Sequence, residues 1–292
     1  MSGWNSARRP GLIHVSMSGF GWDGPNAHYV MFAPVMQALS GLHAMTSRPA
    51  GEPTGLGFSY GDHVGGYYAA LATLAALHER DASGDGAIID LAQVEGTITL
   101  TSASILDFQL SGRPFVAWGN VPFGSLDAPA GLYRCDGDDA WCAISVRDAE
   151  EWYALTATMG APALAADARL ADRAGRAAHR GLLDQAVTSW TQGIPRDEVV
   201  RRLQDAGVPC TPLSTAIELL DDERLRNHGY YQAGEHAELG RREFQMGAIR
   251  SELGPRVRRA APLIGEANGD IYGGLLGLSA DQIRALADEA VI

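Results

Sequence analysis

Hydrophobic and polar positions in the first third of the chain predict strands and helices in alternation. Leu12–Ser16 is a short apolar run that leads into a glycine-rich turn, which is typical of a buried strand. Residues 33–42 predict a short helix, 63–80 a long helix, 88–91 a second strand and 93–110 another helix. Because apolar residues occupy nearly every face of 63–80, we expect this helix to be buried in a large core. The alternation predicts an α/β layer.

The pattern changes at about Gly119 to one that is typical of a smaller α+β domain. Two β-rich arms within 131–146 flank the acidic residues Asp136 to Asp139 and predict a hairpin. Acidic helices are predicted between 149 and 203, and an extended segment follows at 208–213. We therefore expect this domain to be inserted between two parts of a larger one.

The end of the chain returns to strands and a helix. Strands are predicted within 230–249, and residues 279–282 form a capping box that begins the last helix. The predicted domain organisation is a large domain at 1–118, a small α+β domain at 119–218 and a return to the large domain at 219–292.

Composition narrows the partners and the chemistry. The chain has 292 residues and a formal net charge of -12 at pH 7, which argues against nucleic acid or an anionic membrane as the main partner. It contains no lysine, so Schiff-base chemistry and a P-loop lysine are excluded.

The cysteines and the chain start bear on metal sites and location. Cys135, Cys142 and Cys210 form no CxxC motif or Cys/His cluster, which predicts buried thiols and no metal site. Their odd number suits a reducing compartment. The first residues lack the apolar stretch of a signal peptide, and no apolar run is long enough to span a membrane. We therefore expect a cytoplasmic protein that does not bind a membrane.

One acidic residue at a glycine-flanked corner is a candidate for chemistry. Asp62 directly precedes the long predicted helix, with Gly61, Gly65 and Gly66 around it. In one interpretation Asp62 is only the N-cap of that helix, which the corner alone favours. In the other it is an ionised nucleophile near the helix N-terminus, and the glycines let a substrate approach the backbone.

A series of motifs in a fixed order bears on this choice. The chain carries SxSGFGxxGP at 16–25, PVMQALSGL at 34–42, and GDHVGGYYAALATLAALHER with SGDGAIIDLAQVE within 61–95. Further matching segments lie at 119–120, 131–146, 206–212, 261–266 and 276–279. In this order and over essentially the whole chain, they resemble the family III CoA-transferases, which include formyl-CoA and carnitine CoA-transferases and are related to the α-methylacyl-CoA racemases.

The resemblance implies a fold and a reaction. It implies a large domain that is partly Rossmann-like, with an inserted α+β domain, in an interlocked dimer. It also implies that Asp62 attacks an acyl-CoA thioester to give a mixed anhydride, and that CoA then forms an aspartyl thioester before it passes to an acceptor carboxylic acid. A coenzyme A thioester is then a substrate, and no permanent cofactor, ATP or metal is required.

The resemblance also places other residues at the substrate site. Backbone N–H groups beside Asp62 and in the loop 120–125 are expected to hold oxyanions. The residues expected to bind substrate are Gly61, His63, Gly65, Gly66, Phe32, Asn120, Phe123 and Gly124.

Two departures from the family pattern bear on the substrate. Racemases carry a histidine where this chain has Phe32 and Ala33, which cannot transfer a proton, so racemization or epimerization is the less favoured alternative. Phe123 lies in a loop that is glycine-only in formyl-CoA transferase, which argues against formyl or oxalate groups and favours a larger or more apolar acyl group.

A third departure concerns partners. Family members have a nucleotide-binding segment before the first of these matching segments. We expect this chain to start after that segment. We expect a homodimer, or a heteromer in which a homologous chain supplies this segment. Loss or truncation of the segment remains an alternative, as does a non-catalytic scaffold subunit in a heteromeric CoA-transferase.

Overall fold

The computed structural model describes residues 9–46, 52, 54–112, 119–120, 124–249, 251–252, 256–257 and 259–292. The chain divides into two compact units, Met1–Pro212 and Leu213–Ile292. The domain limits at 118 and 218 stay predictions.

A parallel pair of strands forms the layer next to Asp62. Strand β1 (Ile13–Ser18) pairs with β2 (Ala87–Ala92), and the register runs from Ile13 opposite Ala87 to Ser18 opposite Ala92. Parallel strands need a long crossover connection, and here it contains three helices. These are α1 (Ala33–Leu39), α2 (Leu42–Met45) and α3 (Tyr60–Ser83). The predicted α/β class is confirmed.

Two predicted helices of this layer are each divided. The helix expected at 33–42 ends at Leu39, because Gly41 adopts a left-handed conformation with φ of 82° and separates α1 from α2. The single helix expected at 93–110 is wrong. It consists of α4 (Gln93–Ile98), a 3₁₀ turn at Thr99–Thr101 and α5 (Ser102–Ser111).

Threonine hydroxyls explain the interruption after α4. Thr97 donates to the carbonyl of Gln93 at 2.8 Å, and Thr99 donates to the carbonyl of Gly96 at 2.6 Å. Such bonds compete with the helical ladder, and β-branched residues lose side-chain freedom in a helix. The tighter 3₁₀ turn follows from this local competition.

Helix α3 is not buried as predicted. Only Gly61 and Gly65 are buried along its length, whereas Tyr67, Leu71 and Leu74 are 76%, 65% and 64% exposed. The two glycines lie one turn apart on the packed face, and the three large side chains lie on another face. The apolar character of α3 therefore marks a packed face and an uncovered face within this chain.

The second part of the first unit contains its main hydrophobic core. The predicted hairpin is confirmed as β3 (Ala130–Arg134) and β4 (Trp141–Ser145), and β5 (Cys210–Pro212) pairs antiparallel with β4. The predicted helices are α6 (Ala149–Thr158), α7 (Pro162–Ala165), α8 (Arg173–Ala178), α9 (Arg180–Thr191) and α10 (Arg196–Asp205), with a 3₁₀ turn at Ala168–Leu170. Buried core residues include Tyr133, Ile144, Trp152, Leu183, Val199 and Leu203.

The second unit is built from short elements. It contains α11 (Ala216–Asp221), α12 (Glu223–Asn227), the antiparallel pair β6 (Tyr231–His236) and β7 (Gly240–Gln245), a π-helix at Gly269–Leu275 and α13 (Ala280–Asp288). Ser279 and Gln282 form the predicted capping box at the start of α13.

Candidate active site

The first turn of α3 places Asp62 as the third helical residue and not as the cap. Ser59 is at the N-cap position without a side-chain bond to the helix. The backbone N–H of Tyr60 instead donates to Oε1 of Gln37, which is buried in α1, at 3.1 Å. The N-cap interpretation of Asp62 is therefore wrong, since another side chain satisfies the helix start.

The carboxylate of Asp62 has two oxygens in different environments. Oδ1 accepts a hydrogen bond from Nε2 of Gln93 at 3.0 Å. Among the described residues, no group donates to Oδ2 and no ion pair involves Asp62. The residue is exposed, and an acidic side chain in the first turn interacts favourably with the helix dipole. One oxygen is thus held by a neutral donor and the other is free for a reaction.

Gln93 lies at the carboxyl end of β2, where it begins α4. It is 8% exposed, and the next residue, Val94, donates its N–H to the carbonyl of Gly19 in the turn after β1. That turn is also tied to β2, because the N–H of Trp22 donates to Asp90 at 2.8 Å. Ligand sites in open α/β sheets form outside the carboxyl ends of the strands.

Sequence reasoning missed Gln93 as a site residue. The available signal was its position directly after a predicted strand, next to the glycine-rich turn. The partner of Asp62 comes from 31 residues further along the chain, so spacing alone did not indicate the contact.

The three glycines around Asp62 differ in their surroundings. A Cβ on Gly61 would lie 2.2 Å from Sδ of Met36, and a Cβ on Gly65 would lie 3.0 Å from Nε2 of Gln93. Both glycines therefore have a packing role against neighbouring side chains. Gly66 is exposed, with open space where a Cβ would be. Contact of these glycines with substrate stays a prediction. Of the three, Gly66 is the one that borders open space.

The other predicted residues near Asp62 lie at the surface. Nδ1 of His63 is 2.9 Å from the carbonyl oxygen of Ser59, and its ring packs edge-on against Phe58. Phe32 is the N-cap residue of α1 and is 75% exposed. Neither side chain bonds to Asp62.

Of the remaining predicted residues, Asn120 lies against β3 of the three-stranded sheet. Asn120 exchanges two hydrogen bonds with the backbone of Leu132, at 2.6 Å and 2.7 Å. Gly124 is exposed, and Phe123 lies outside the described residues. No described hydrogen bond or ion pair joins Asn120 or Gly124 to Asp62. A shared substrate site of Asp62 with Asn120 and Gly124 therefore stays a prediction.

A buried arginine fixes the segment after Gly124. Arg176 is 1% exposed, donates to the carbonyls of Ala128 and Asp148 at 3.2 Å each, and lies over the ring of Trp152. Burial lowers the pKa of its guanidinium. Because Arg176 holds Ala128, the described segment 124–129 enters β3 from a fixed position.

A shallow groove of about 680 Å³ lies over the three-stranded sheet formed by β3, β4 and β5. Its lining is uncharged: Gly119, Asn120, Ala130, Gly131, Leu132, Ala143, Ile144, Ser145, Pro209, Cys210 and Thr211. Asn120 is the one predicted site residue in this lining, and Asp62 does not take part in it.

Two further observations concern metal-ligand clusters and membrane-spanning helices within the described ranges. No group of three or more His, Cys, Asp or Glu side chains there could hold a metal ion. No helix in the same ranges is long and apolar enough to cross a bilayer.

Comparisons with known proteins show similarity to CoA-transferases. The succinyl-CoA–D-citramalate CoA-transferase of Chloroflexus aurantiacus is 32% identical over 293 residues, which cover 99% of this chain and 72% of the relative. The alpha subunit of a succinyl-CoA–L-malate CoA-transferase from the same organism is 28% identical, over 98% of this chain and 67% of the subunit.

A solved structure shares the fold of this chain, and a family model matches most of its length. A CaiB/BaiF family protein from Brucella suis superposes with a TM-score of 0.83 at 24% identity, over 92% of this chain and 69% of that one, which supports the fold. The family model described as CoA-transferase family III matches residues 5–268. This chain belongs to CoA-transferase family III.

Proposed function

We propose that this chain is an enzyme, or the aspartate-bearing subunit of one, that moves CoA from an acyl-CoA thioester to a carboxylic acid. The observation that supports this most directly is the Asp62 carboxylate. It lies in the first turn of α3, with Oδ1 held by Gln93 and no described partner on Oδ2. A carboxylate with one unbonded oxygen at an exposed helix start is suited to nucleophilic attack on a thioester.

The proposed reaction alternates two covalent intermediates on Asp62. Oδ2 attacks the thioester carbonyl, the C–S bond breaks, and CoA leaves as a thiolate from a mixed anhydride. The thiolate attacks the aspartyl carbon and displaces the donor acid, which gives an aspartyl-CoA thioester. The acceptor carboxylate then displaces CoA to form a second anhydride, and the thiolate attacks the acceptor carbonyl and releases Asp62.

The relatives suggest the first substrate pair to test. One relative carries succinyl-CoA and D-citramalate in its name, so this pair is the starting donor and acceptor. The preference for a larger or more apolar acyl group stays a prediction, because it rests on Phe123.

We propose that the active assembly contains a second chain, either a second copy or a homologue. Support comes from the uncovered apolar face of α3, where Tyr67, Leu71 and Leu74 are exposed in the single chain. One relative is itself an alpha subunit. An interlocked dimer would let the Asn120 loop of one chain complete the site of the other. A cytoplasmic location is part of this proposal.

The test compares two isosteric variants on the same helix. Asp62→Asn keeps the hydrogen-bond geometry but removes the nucleophile, whereas Asp81→Asn alters an exposed carboxylate at the other end of α3. The measurement is transfer from succinyl-CoA to D-citramalate, with hydroxylamine trapping of the activated aspartate as a hydroxamate. We expect Asp62→Asn to lose transfer and trapping and Asp81→Asn to retain both.

Other outcomes discriminate the alternatives. Equal turnover of the assembly with Asp62→Asn would make this chain a non-catalytic scaffold. Exchange of the α-proton of a 2-methylacyl-CoA in D₂O would indicate a racemase instead. We expect no exchange, since Phe32 and Ala33 offer no acid or base.

A further inference from the structure

The hydrogen bond between Gln93 and Asp62 gives the two carboxylate oxygens different chemical roles. Oδ1 is 3.0 Å from Nε2 of Gln93, whereas Oδ2 has no donor among the described residues. The oxygen that attacks an acyl carbon must give up an electron pair, which a hydrogen-bond donor opposes. The unbonded Oδ2 is therefore the attacking atom, and Oδ1 remains the carbonyl oxygen of the aspartyl group.

This assignment rests on the proposed function, and from it we propose that Gln93 is the oxyanion donor for the aspartyl half of the reaction. In the anhydride, the aspartyl carbon is double-bonded to Oδ1 and single-bonded to Oδ2. When the CoA thiolate adds to this carbon, the C=O electron pair moves onto Oδ1. The intermediate collapses as the bond from carbon to Oδ2 breaks, and Oδ2 leaves in the donor carboxylate.

Oδ1 of Asp62 also carries the developing negative charge in the later step with the acceptor acid. When the acceptor carboxylate adds to the aspartyl carbon of the thioester, the electron pair again moves onto Oδ1, and the C–S bond breaks to release the thiolate. An N–H donor within about 3.1 Å of a developing oxyanion is the geometry of an oxyanion hole. Gln93 already has this geometry, because Oδ1 stays bonded to the aspartyl carbon throughout.

Three features hold the Gln93 amide in place. The side chain is 8% exposed, so water competes little for its N–H groups. Gly65 leaves the space that the amide occupies, since a Cβ there would lie 3.0 Å from both Cγ and Nε2 of Gln93. The start of α4 is fixed beside Gln93, because the N–H of the next residue, Val94, donates to the carbonyl of Gly19. Gly65 is thus a positioning residue for the donor.

A neutral donor suits both halves of the reaction. An arginine at this position would pair with the carboxylate and lower its basicity, and this would weaken the attack of Oδ2. An amide stabilises the tetrahedral intermediates without a full charge in the resting site.

The test uses a single exposure of the assembled enzyme to succinyl-CoA without acceptor. Free CoA thiol reports the first step, and CoA that remains bound to the quenched protein reports attack on the aspartyl carbon. Gln93→Met keeps the length of the side chain and removes the donor. We expect protein-bound CoA to form about a hundredfold more slowly in this variant, with a higher ratio of free thiol to bound CoA.

Gly65→Ala should slow the formation of protein-bound CoA about tenfold, because the amide of Gln93 must shift by a few tenths of an ångström.

Thr97→Val is the matched control for a purely structural loss. It removes a buried hydrogen bond to the backbone of the same glutamine and leaves the amide against Asp62. We expect it to lower stability but to keep the ratio of free thiol to bound CoA. If Gln93→Met forms bound CoA as fast as Thr97→Val, the assignment of Gln93 is overturned. If Asp62→Asn still forms bound CoA, the proposed function itself fails.

Gln93→Glu adds a pH signature that a structural role would not produce. The glutamic acid can donate to Oδ1 only when it is protonated, and its charged form repels the carboxylate. We expect bound-CoA formation in Gln93→Glu to recover as the pH falls from about 8 to about 5, with no such recovery in Thr97→Val. A Gln93→Glu variant as slow at low pH as at high pH would count against the donor role.

Discussion

At the scale of the residue, three buried thiols lie in or directly after the strands of the three-stranded sheet. Sγ of Cys135 is 3.6 Å from Sγ of Cys142, and Cys210 on the adjacent strand is also buried. Burial raises the pKa of the Cys135 thiol to about 12, and the neighbouring Cys142 adds to this effect. Hydrogen bonding to Cys210 and burial also raise the pKa of Cys142. The thiolate is the reactive form of cysteine, so these residues are packing groups.

We therefore predict that Cys135 and Cys142 of the folded protein do not react with a disulfide reagent at pH 8. Their thiolate populations are low at this pH because both pKa values are raised, and the side chains are 2% exposed or less. The measurement is absorbance of the released thiol over minutes. All three cysteines of the chain should react in denaturant, which serves as the control. Rapid reaction of all three thiols in the folded protein would contradict the prediction.

At this scale the sequence singled out Asp62 but not its partner Gln93. The nucleophile role of Asp62 follows from the resemblance of the segment at 61–95 to family III CoA-transferases and stays a prediction. The role of Gln93 depends on how β2 meets the first turn of α3, and periodicity does not fix that contact. The space left by Gly65 is likewise visible only when both elements are packed.

At the scale of the element, α3 packs closely on one face because two of its residues have no side chain. Gly61 and Gly65 bring the backbone against Met36, Thr97 and Gln93. Gly66 is in the same helix but borders open space. The same substitution is thus expected to have opposite effects at neighbouring positions.

We predict that Gly66→Ala raises the free energy of unfolding by about 0.5–1 kcal/mol, because alanine loses less entropy in a helix interior. Gly61→Ala should lower it by about 1–3 kcal/mol, since its methyl group would collide with Met36. Urea unfolding followed by circular dichroism measures both. If Gly61→Ala raised the free energy of unfolding, the contact between α3 and Met36 would be looser than the structure shows.

The helix expected at 93–110 shows that hydrophobic periodicity does not predict where a helix is interrupted. Its apolar positions fit one continuous helix, and the prediction failed because threonine hydroxyls at 97, 99 and 101 bond to nearby carbonyls. By contrast, the hairpin at 131–146 was predictable, because its two arms and their acidic turn are local in sequence. Local signals thus predicted this hairpin, whereas competing side-chain bonds set the end of α4.

At the scale of the whole molecule, the predicted burial of α3 is wrong within this chain, and the proposed second chain would provide the missing cover. A helix that is apolar on nearly every face must be covered, and a hydrophobic pattern does not distinguish cover within a chain from cover by a second chain. Tyr67, Leu71 and Leu74 form a stripe at helical spacing that is more than 60% exposed throughout. The proposed second chain accounts for this stripe without any change in the fold.

We predict that Leu71→Glu weakens this assembly, because a charge buried against an apolar partner surface is costly. Leu71 is 65% exposed in the single chain, so the fold of that chain should tolerate the substitution. The measurement is sedimentation velocity over a range of protein concentrations, where the variant should dissociate at a concentration about tenfold higher or more. Leu182→Glu is the control, since Leu182 is also an exposed leucine, on α9. A Leu71→Glu variant that assembles like wild type, while Leu182→Glu dissociates, would place the interface away from α3 and remove the main support for cover by a second chain there.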